Sequence, residues 1–251
     1  MTTGVALRKL SEKPTNGLPG RRYDHVFFSA MAFLILTTVV AGFARTYYLA
    51  GMFHAPLPSL IIHLHAAAFS CWVLLLIAQT SLVVAGRVDI HRRLGIAGFC
   101  LGGLMVILGM MAATDSLVRK GGPVGRDVQA FYIVPLTDMV FFAIVLFLAL
   151  RKRRDSAAHK RFILIATNAL MIAAVARIPV AFSFRNVFIA SILSDIFLLA
   201  LVVYDLWSTH KIHRVTLWAG GFLVVMQQIR LPIGKTVAWH NFAGWIQQLF
   251  G

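Results

Sequence analysis

The chain has 251 residues, 59% of them hydrophobic and only 13% charged, with a mean hydropathy of +0.79. Charged residues make up about a quarter of a soluble domain, so this composition excludes an ordinary soluble fold and indicates an all-α, polytopic transmembrane helix bundle. The net charge of +15 does not call for a nucleic-acid partner, because the basic residues lie between apolar runs rather than on one face of a soluble domain.

Residues 1–23 form a polar tail without the continuous apolar core of a signal peptide, and are expected to stay on the chain on the cytoplasmic side. Residues 24–232 read as the helix bundle. Apolar runs fall at 26–44, 60–85, 94–113, 131–150, 162–182, 187–206 and 215–229, most of them near the roughly 20 residues that cross the hydrocarbon layer, which gives six or seven spans. The last run is short and leads into MQQIRLPIGK, so a tilted, thinned or re-entrant passage competes with a full span. Residues 233–251, with their Trp and Phe content, read as an interfacial segment.

Lysine and arginine give the orientation. Arg8, Lys9, Lys13, Arg21 and Arg22 precede the first span, and Arg87, Arg92 and Arg93 join the second to the third. Residues 151–161 bring six more, and Lys211 and Arg214 follow the sixth span. Arg45, Arg119, Lys120, Arg126, Arg185, Arg230 and Lys235 fall on the other side, a minority, so the first group is expected inside a bacterial inner membrane. Cys71 and Cys100 lie in apolar runs with neither disulfide nor zinc spacing and read as packing residues.

Two stretches echo each other. RVDIHRRLGIAGF, from Arg87, and RRDSAAHKRFILIATN, from Arg153, each run from a basic residue and Asp through His to two basic residues and a helix containing Ile-Ala, which suggests a duplicated helix pair, spans two and three matching four and five. At about 100° per residue, His91 shares a face with Gly95, Gly98, Gly102 and Gly109, and His159 shares one with Ala166, Ala169, Ala173 and Arg177. Such small-residue stripes admit either a neighbouring helix or a flat macrocycle. Both histidines head odd-numbered, parallel spans at one membrane side, so together they offer two imidazoles to one haem iron. The bland reading is a hydrated boundary histidine in a basic loop, with Asp89 and Asp155 paired to arginine.

A second set, His65, Asp138, Arg177 and Asp195, lies within the apolar runs toward the opposite side. Ionised groups there cost roughly 2.5 to 3.5 kcal/mol each on insertion scales, so they pair or line a cavity. Arg177 is expected to pair with Asp138 or Asp195, with His65 beside them on a face shared with Phe69, Trp72 and Gln79. Pro135 frees a carbonyl near Asp138, and Tyr132 and Thr137 add hydroxyls. A structural ion pair, a quinone, ion or substrate pocket with a proton relay, and a metal site all compete for this set.

HRRLG at 91–95 and RKRRDSAAHKRFILIATNALMIAAVARI at 151–178 resemble an uncharacterised bacterial family of polytopic membrane proteins, a domain of unknown function with HRxxG and HRRW-type motifs. HKRF stands here where that family has HRRW. The same histidines are more loosely similar to those of transmembrane b-type cytochromes and ferric-reductase-like proteins. That likeness implies haem b held by His91 and His159 through the iron, with electron transfer to quinone or a partner. A second haem would need a histidine on span four, where Asp138 stands, so one haem is expected.

No phosphate loop, dinucleotide fingerprint or HExxH is present, and the single glutamate, Glu12, lies in the tail, so no enzymatic chemistry is indicated. The expected setting is a lipid bilayer, with membrane-protein partners or a homo-oligomer. A non-catalytic accessory or scaffold subunit and a small ion-coupled transporter are the alternatives to the haem protein.

Overall fold

The computed structural model describes residues 23–55, 58–121, 127–178 and 187–251, which leaves the tail basic residues, Arg126 and Arg185 outside the described residues. It is an all-α bundle. Helix α1 (Asp24–Phe43) ends in a π turn (Ala44–Tyr48), followed by α2 (Leu60–Val84), α3 (Val88–Val118), α4 (Val128–Arg151), α5 (Ser156–Val175), α6 (Val187–Ser194) and α7 (Ile196–Thr209). A π turn (Thr216–Gly220) leads into α8 (Gly221–Ile233), and α9 (Val237–Phe250) closes the chain. Among the described residues six helical stretches are long and apolar enough to cross a membrane: α1 to α5, and α6 with α7 taken together.

Local chemistry sets the boundaries. Gly86, at φ +71°, makes the tight α2–α3 turn in a conformation that disfavours any side chain. Asp127 accepts from the backbone N–H groups of Gln129 and Ala130 to cap α4, and Asp155 accepts from that of Ala158 to cap α5. Large apolar side chains on the outer faces, among them Phe33 and Val40 on α1, Ile96 and Ile107 on α3, and Ile144 and Phe147 on α4, are exposed. Apolar exposure along every spanning helix except α5 is the surface of a protein embedded in lipid. Cys71 and Cys100 lie on this outer surface as free thiols rather than in the packed interior, because their faces of α2 and α3 point outward.

The α4–α5 and α2–α3 connections, Asp24 and the α7–α8 turn all gather at one end of the bundle, the basic end. Lys160 bridges Asp24 at 2.5 Å, Tyr204 donates to Asp24 at 2.5 Å, and Arg161 reaches Asp205 near the end of α7. At the far end α9 lies against α3 and α4: the Gln247 amide donates to the Leu117 carbonyl at 2.8 Å, Gln129 to Gln247 at 2.7 Å, and Trp239 Nε1 to the Gln129 carbonyl at 2.8 Å.

The doubtful last run is helical from 214 to 233, longer than the 215–229 read from hydropathy. Thr216 donates to Asp205 at the basic end, while Gly234 is so close to α4 at the far end that a Cβ there would meet the Ala130 carbonyl oxygen at 2.7 Å. This segment therefore runs the full height of the bundle, and the described chain ends at the opposite end from Asp24.

Helix α5 stands at the centre. It is the least apolar of the six spans and the most buried, with Ala166 and Ala169 fully enclosed. Its small residues let α1 approach until a Cβ on Gly42 would overlap the Ala174 carbonyl. Trp72 of α2 donates to Thr167 of α5 at 3.1 Å and packs edge-on against Phe142 of α4.

Candidate functional site: a cavity between two histidines

A cavity of about 460 Å³ opens near the basic end between α1, α2, α3 and α5. His91, in the first turn of α3, and His159, in the first turn of α5, both line it, and both are half-buried. Each sits where its helix start puts it: the His91 N–H bonds the Arg87 carbonyl at 3.0 Å and the His159 N–H bonds the Asp155 carbonyl at 2.8 Å. Arg92 and Arg93 are exposed outside the cavity. Asp89 pairs with Arg87 at 3.5 Å, whereas Asp155 serves as a helix cap.

The ring of His159 is held from behind. Its Nδ1 donates to the carbonyl oxygen of Ala149 at 3.0 Å, so in the neutral ring the lone pair is on Nε2. His91 Nδ1 lies 2.6 Å from the side-chain amide of Gln79. With the amide nitrogen toward His91, Gln79 donates to Nδ1 and to the His91 carbonyl, and its oxygen accepts from the Gly95 N–H at 2.9 Å. With the amide reversed, the oxygen accepts from Nδ1 and the lone pair moves to Nε2 of His91.

The walls divide by chemistry. Trp72, Leu75, Leu76, Phe28, Phe99 and Leu164 form an apolar surface, while Asp24, Lys160, His25 and Ser156 form a polar rim. The glycine stripe of α3 divides between the cavity and a neighbouring helix. Gly95 faces the cavity, where a Cβ would meet only the Gln79 amide at 3.6 Å, whereas Gly102 and Gly109 are filled by Leu146 and Met139 of α4.

The second set of residues does not assemble as the sequence suggests. Asp138 pairs with Arg230 at 2.5 Å, and the same guanidinium nitrogen donates to the Val134 carbonyl and the Thr137 hydroxyl. Asp195, which interrupts the sixth span between α6 and α7, faces the Gln227 amide, whose nitrogen lies 3.1 Å from both carboxylate oxygens in the satisfied orientation. Arg177 instead donates to the Ala173 carbonyl and stacks over the Phe43 ring at 4.7 Å. His65 packs on Phe69 with ring centroids 4.1 Å apart and its Nδ1 unpartnered. Tyr132 bonds Thr114 at 3.1 Å. His65, Asp138, Arg177 and Asp195 are thus divided among four sets of neighbours.

Two buried arginines escape a sequence reading based on charge counting. Arg230, counted with the far-side loop charges, is buried with Gln227 one turn before it on the same face of α8. Arg161, counted with the basic loop, is also buried. Its Nε and Nη2 donate to Asp205 Oδ1, while the His213 N–H and the Thr216 hydroxyl donate to Oδ2. The three-residue spacing of Gln227 and Arg230 within an otherwise apolar run is the signal that finds them.

No known family model matches the chain, nor does any curated protein or solved structure. Among the described residues no group of three or more His, Cys, Asp or Glu side chains is placed to hold a metal ion. A haem iron would take two imidazoles from the protein, and His91 and His159 border one cavity. His159 is fixed with Nε2 available, whereas the satisfied orientation of Gln79 leaves the lone pair of His91 on Nδ1 and only the reversed amide, its oxygen set against the His91 carbonyl, would free Nε2; both rings border a cavity with an apolar wall.

Proposed function

We propose that this integral membrane protein carries electrons by means of one b-type haem held between His91 and His159, with the basic end of the bundle facing the cytoplasm of a bacterial inner membrane. The observation that carries this reading is that two histidines from separate helices border one cavity, one of them tethered through Nδ1. A bound haem supplies a one-electron couple. The chain's own residues do the rest: the Ala149 carbonyl and the Gln79 amide orient the two rings, and Gly95 keeps the α3 wall flat. Trp72, Leu75 and Phe99 exclude water, and Lys160 with Ser156 presents a polar rim to carboxylate groups. Quinone or a membrane-protein partner is the proposed electron exchange partner, reached through the lipid-facing surface.

The test is an absorption spectrum of protein purified after expression with ample haem. A Soret band and a pyridine haemochrome at one haem per chain are expected, and both should vanish in His159→Ala. Their absence from the unaltered protein would defeat the reading.

A further inference from the structure

The Arg230 neighbourhood has hydrogen-bonding capacity that its protein contacts leave unused. Arg230 is only 2% exposed, yet all three of its bonds leave from Nη1, and its Nε and Nη2 have no partner. Unsatisfied guanidinium donors in a low-dielectric interior are costly, so water or another acceptor belongs on them. On α5, Asn168 is 1% exposed with neither its oxygen nor its nitrogen bonded. It lies two turns, ~10 Å, along the same face from Arg161, the face turned toward Asp205. A buried amide with no protein partner is a second demand for water within the bundle.

Among the described residues the charges around Arg230 do not balance without a proton. Asp138 and Asp195 contribute two carboxylates, and Arg230 is the charge that acts on both. Asp138 holds it by direct contact. Asp195 is left with the neutral Gln227 amide, beside the buried Ser191 and Ser194, whose hydroxyls are committed to backbone carbonyls. One guanidinium neutralises one carboxylate, so in a hydrocarbon setting the second carboxyl is the one that binds a proton.

We propose that Asp195 is an intramembrane proton-carrying group, served by water on the unpaired N–H groups of Arg230, with Asp138 as the fixed counter-anion. Only O–H bonds form and break: a proton arriving from bulk water as hydronium passes through that water to the Asp195 carboxylate, leaving neutral water behind, and departs to water by the same route, while Arg230 stays charged throughout. The site is separate from the histidine cavity, whose lining includes neither Asp195 nor Arg230, and stands whether or not haem binds.

Dicyclohexylcarbodiimide, an apolar reagent that adds to protonated carboxyl groups, tests this on the full-length protein in membranes. The expected result is one adduct, located on Asp195 by peptide mass spectrometry, declining at least tenfold as the pH is raised. Asp195→Asn should abolish it and Asp195→Glu retain it, so that a poorly folding Asn variant does not decide the matter. No adduct, an adduct on Asp138 instead, or labelling of Asp195 that ignores pH would overturn the proposal.

Discussion

The Nδ1 atom of His159 donates to the carbonyl oxygen of Ala149, ten residues earlier on α4, and this bond ties a cavity-lining ring to the helix before it. Because the α4–α5 turn brings Ala149 behind His159, the ring's tautomer and direction are settled by backbone rather than by a mobile side chain. His91 has only the Gln79 amide for the same purpose. Replacing Gln79 by Leu should therefore weaken haem binding by about 10- to 100-fold, the usual cost of losing a partner behind a ligating histidine. Titration of the purified variant with haemin, followed by absorbance, measures it; unchanged affinity would remove Gln79 from the site.

Gly95 and Gly102 sit two turns apart on one stripe and should respond differently to substitution. Gly95→Leu projects into the cavity and is expected to abolish haem uptake while leaving thermal stability close to that of the parent protein. Gly102→Ala drives a methyl group into Leu146 and should cost about 1 to 3 kcal/mol without entering the cavity. Melting curves and spectra of the two variants, compared side by side, separate cavity from packing.

Arg161 and Asp205 are both buried, and every oxygen of the carboxylate is used. Asp205→Ala strands a guanidinium in the interior and should destabilise the bundle by about 3 to 5 kcal/mol. The double variant Arg161→Met with Asp205→Leu is expected to recover most of that loss. Unfolding in graded denaturing detergent provides the comparison, and equal losses in both variants would mean that the hydrogen bonds, not the stranded charge, dominate.

At the far end, His240 of α9 bonds Asp127 at 2.6 Å, which raises the histidine above its ordinary pKa and lowers the carboxyl below its own. The sign follows for each partner. The histidine's contribution is complete below its unfolded pKa and disappears as pH rises through the raised value; the carboxylate's is complete above its unfolded pKa and disappears as pH falls through the lowered one. Docking of α9 should thus be firmest in mildly acidic solution and loosen on either side. Hydrogen exchange of α9 amides against pH tests this, and His240→Ala should flatten the alkaline limb.

The helices were legible because hydrocarbon selects apolar runs of fixed length, and four of the six spans begin and end within a few residues of those runs, while α3 and α5 start six residues earlier, at their polar first turns. Partner choice was harder to read. Periodicity put His65, Trp72 and Gln79 of α2 on one face, but that helix is long enough for them to meet different neighbours: Phe69, Thr167 and His91. Charge counting likewise put Arg161 and Arg230 in loops, because nothing local distinguishes a topological arginine from one that finds a carboxylate 44 or 92 residues away. The sharing of one cavity by His91 and His159 is a long-range relationship that matches the repeated motif at two helix starts.

Helix α5 carries Arg161, Thr167 and Asn168 on a segment that is nearly surrounded by other helices. A segment of that polarity partitions weakly into lipid alone, so its entry into the bilayer depends on neighbours that arrive during synthesis. The apolar α4, joined to it by a short turn and tied back through Ala149, is the obvious escort. Biogenesis therefore couples the two: a chain truncated so that α5 is presented without α4 should leave α5 untranslocated, and the cavity would lose one wall before any ligand met it.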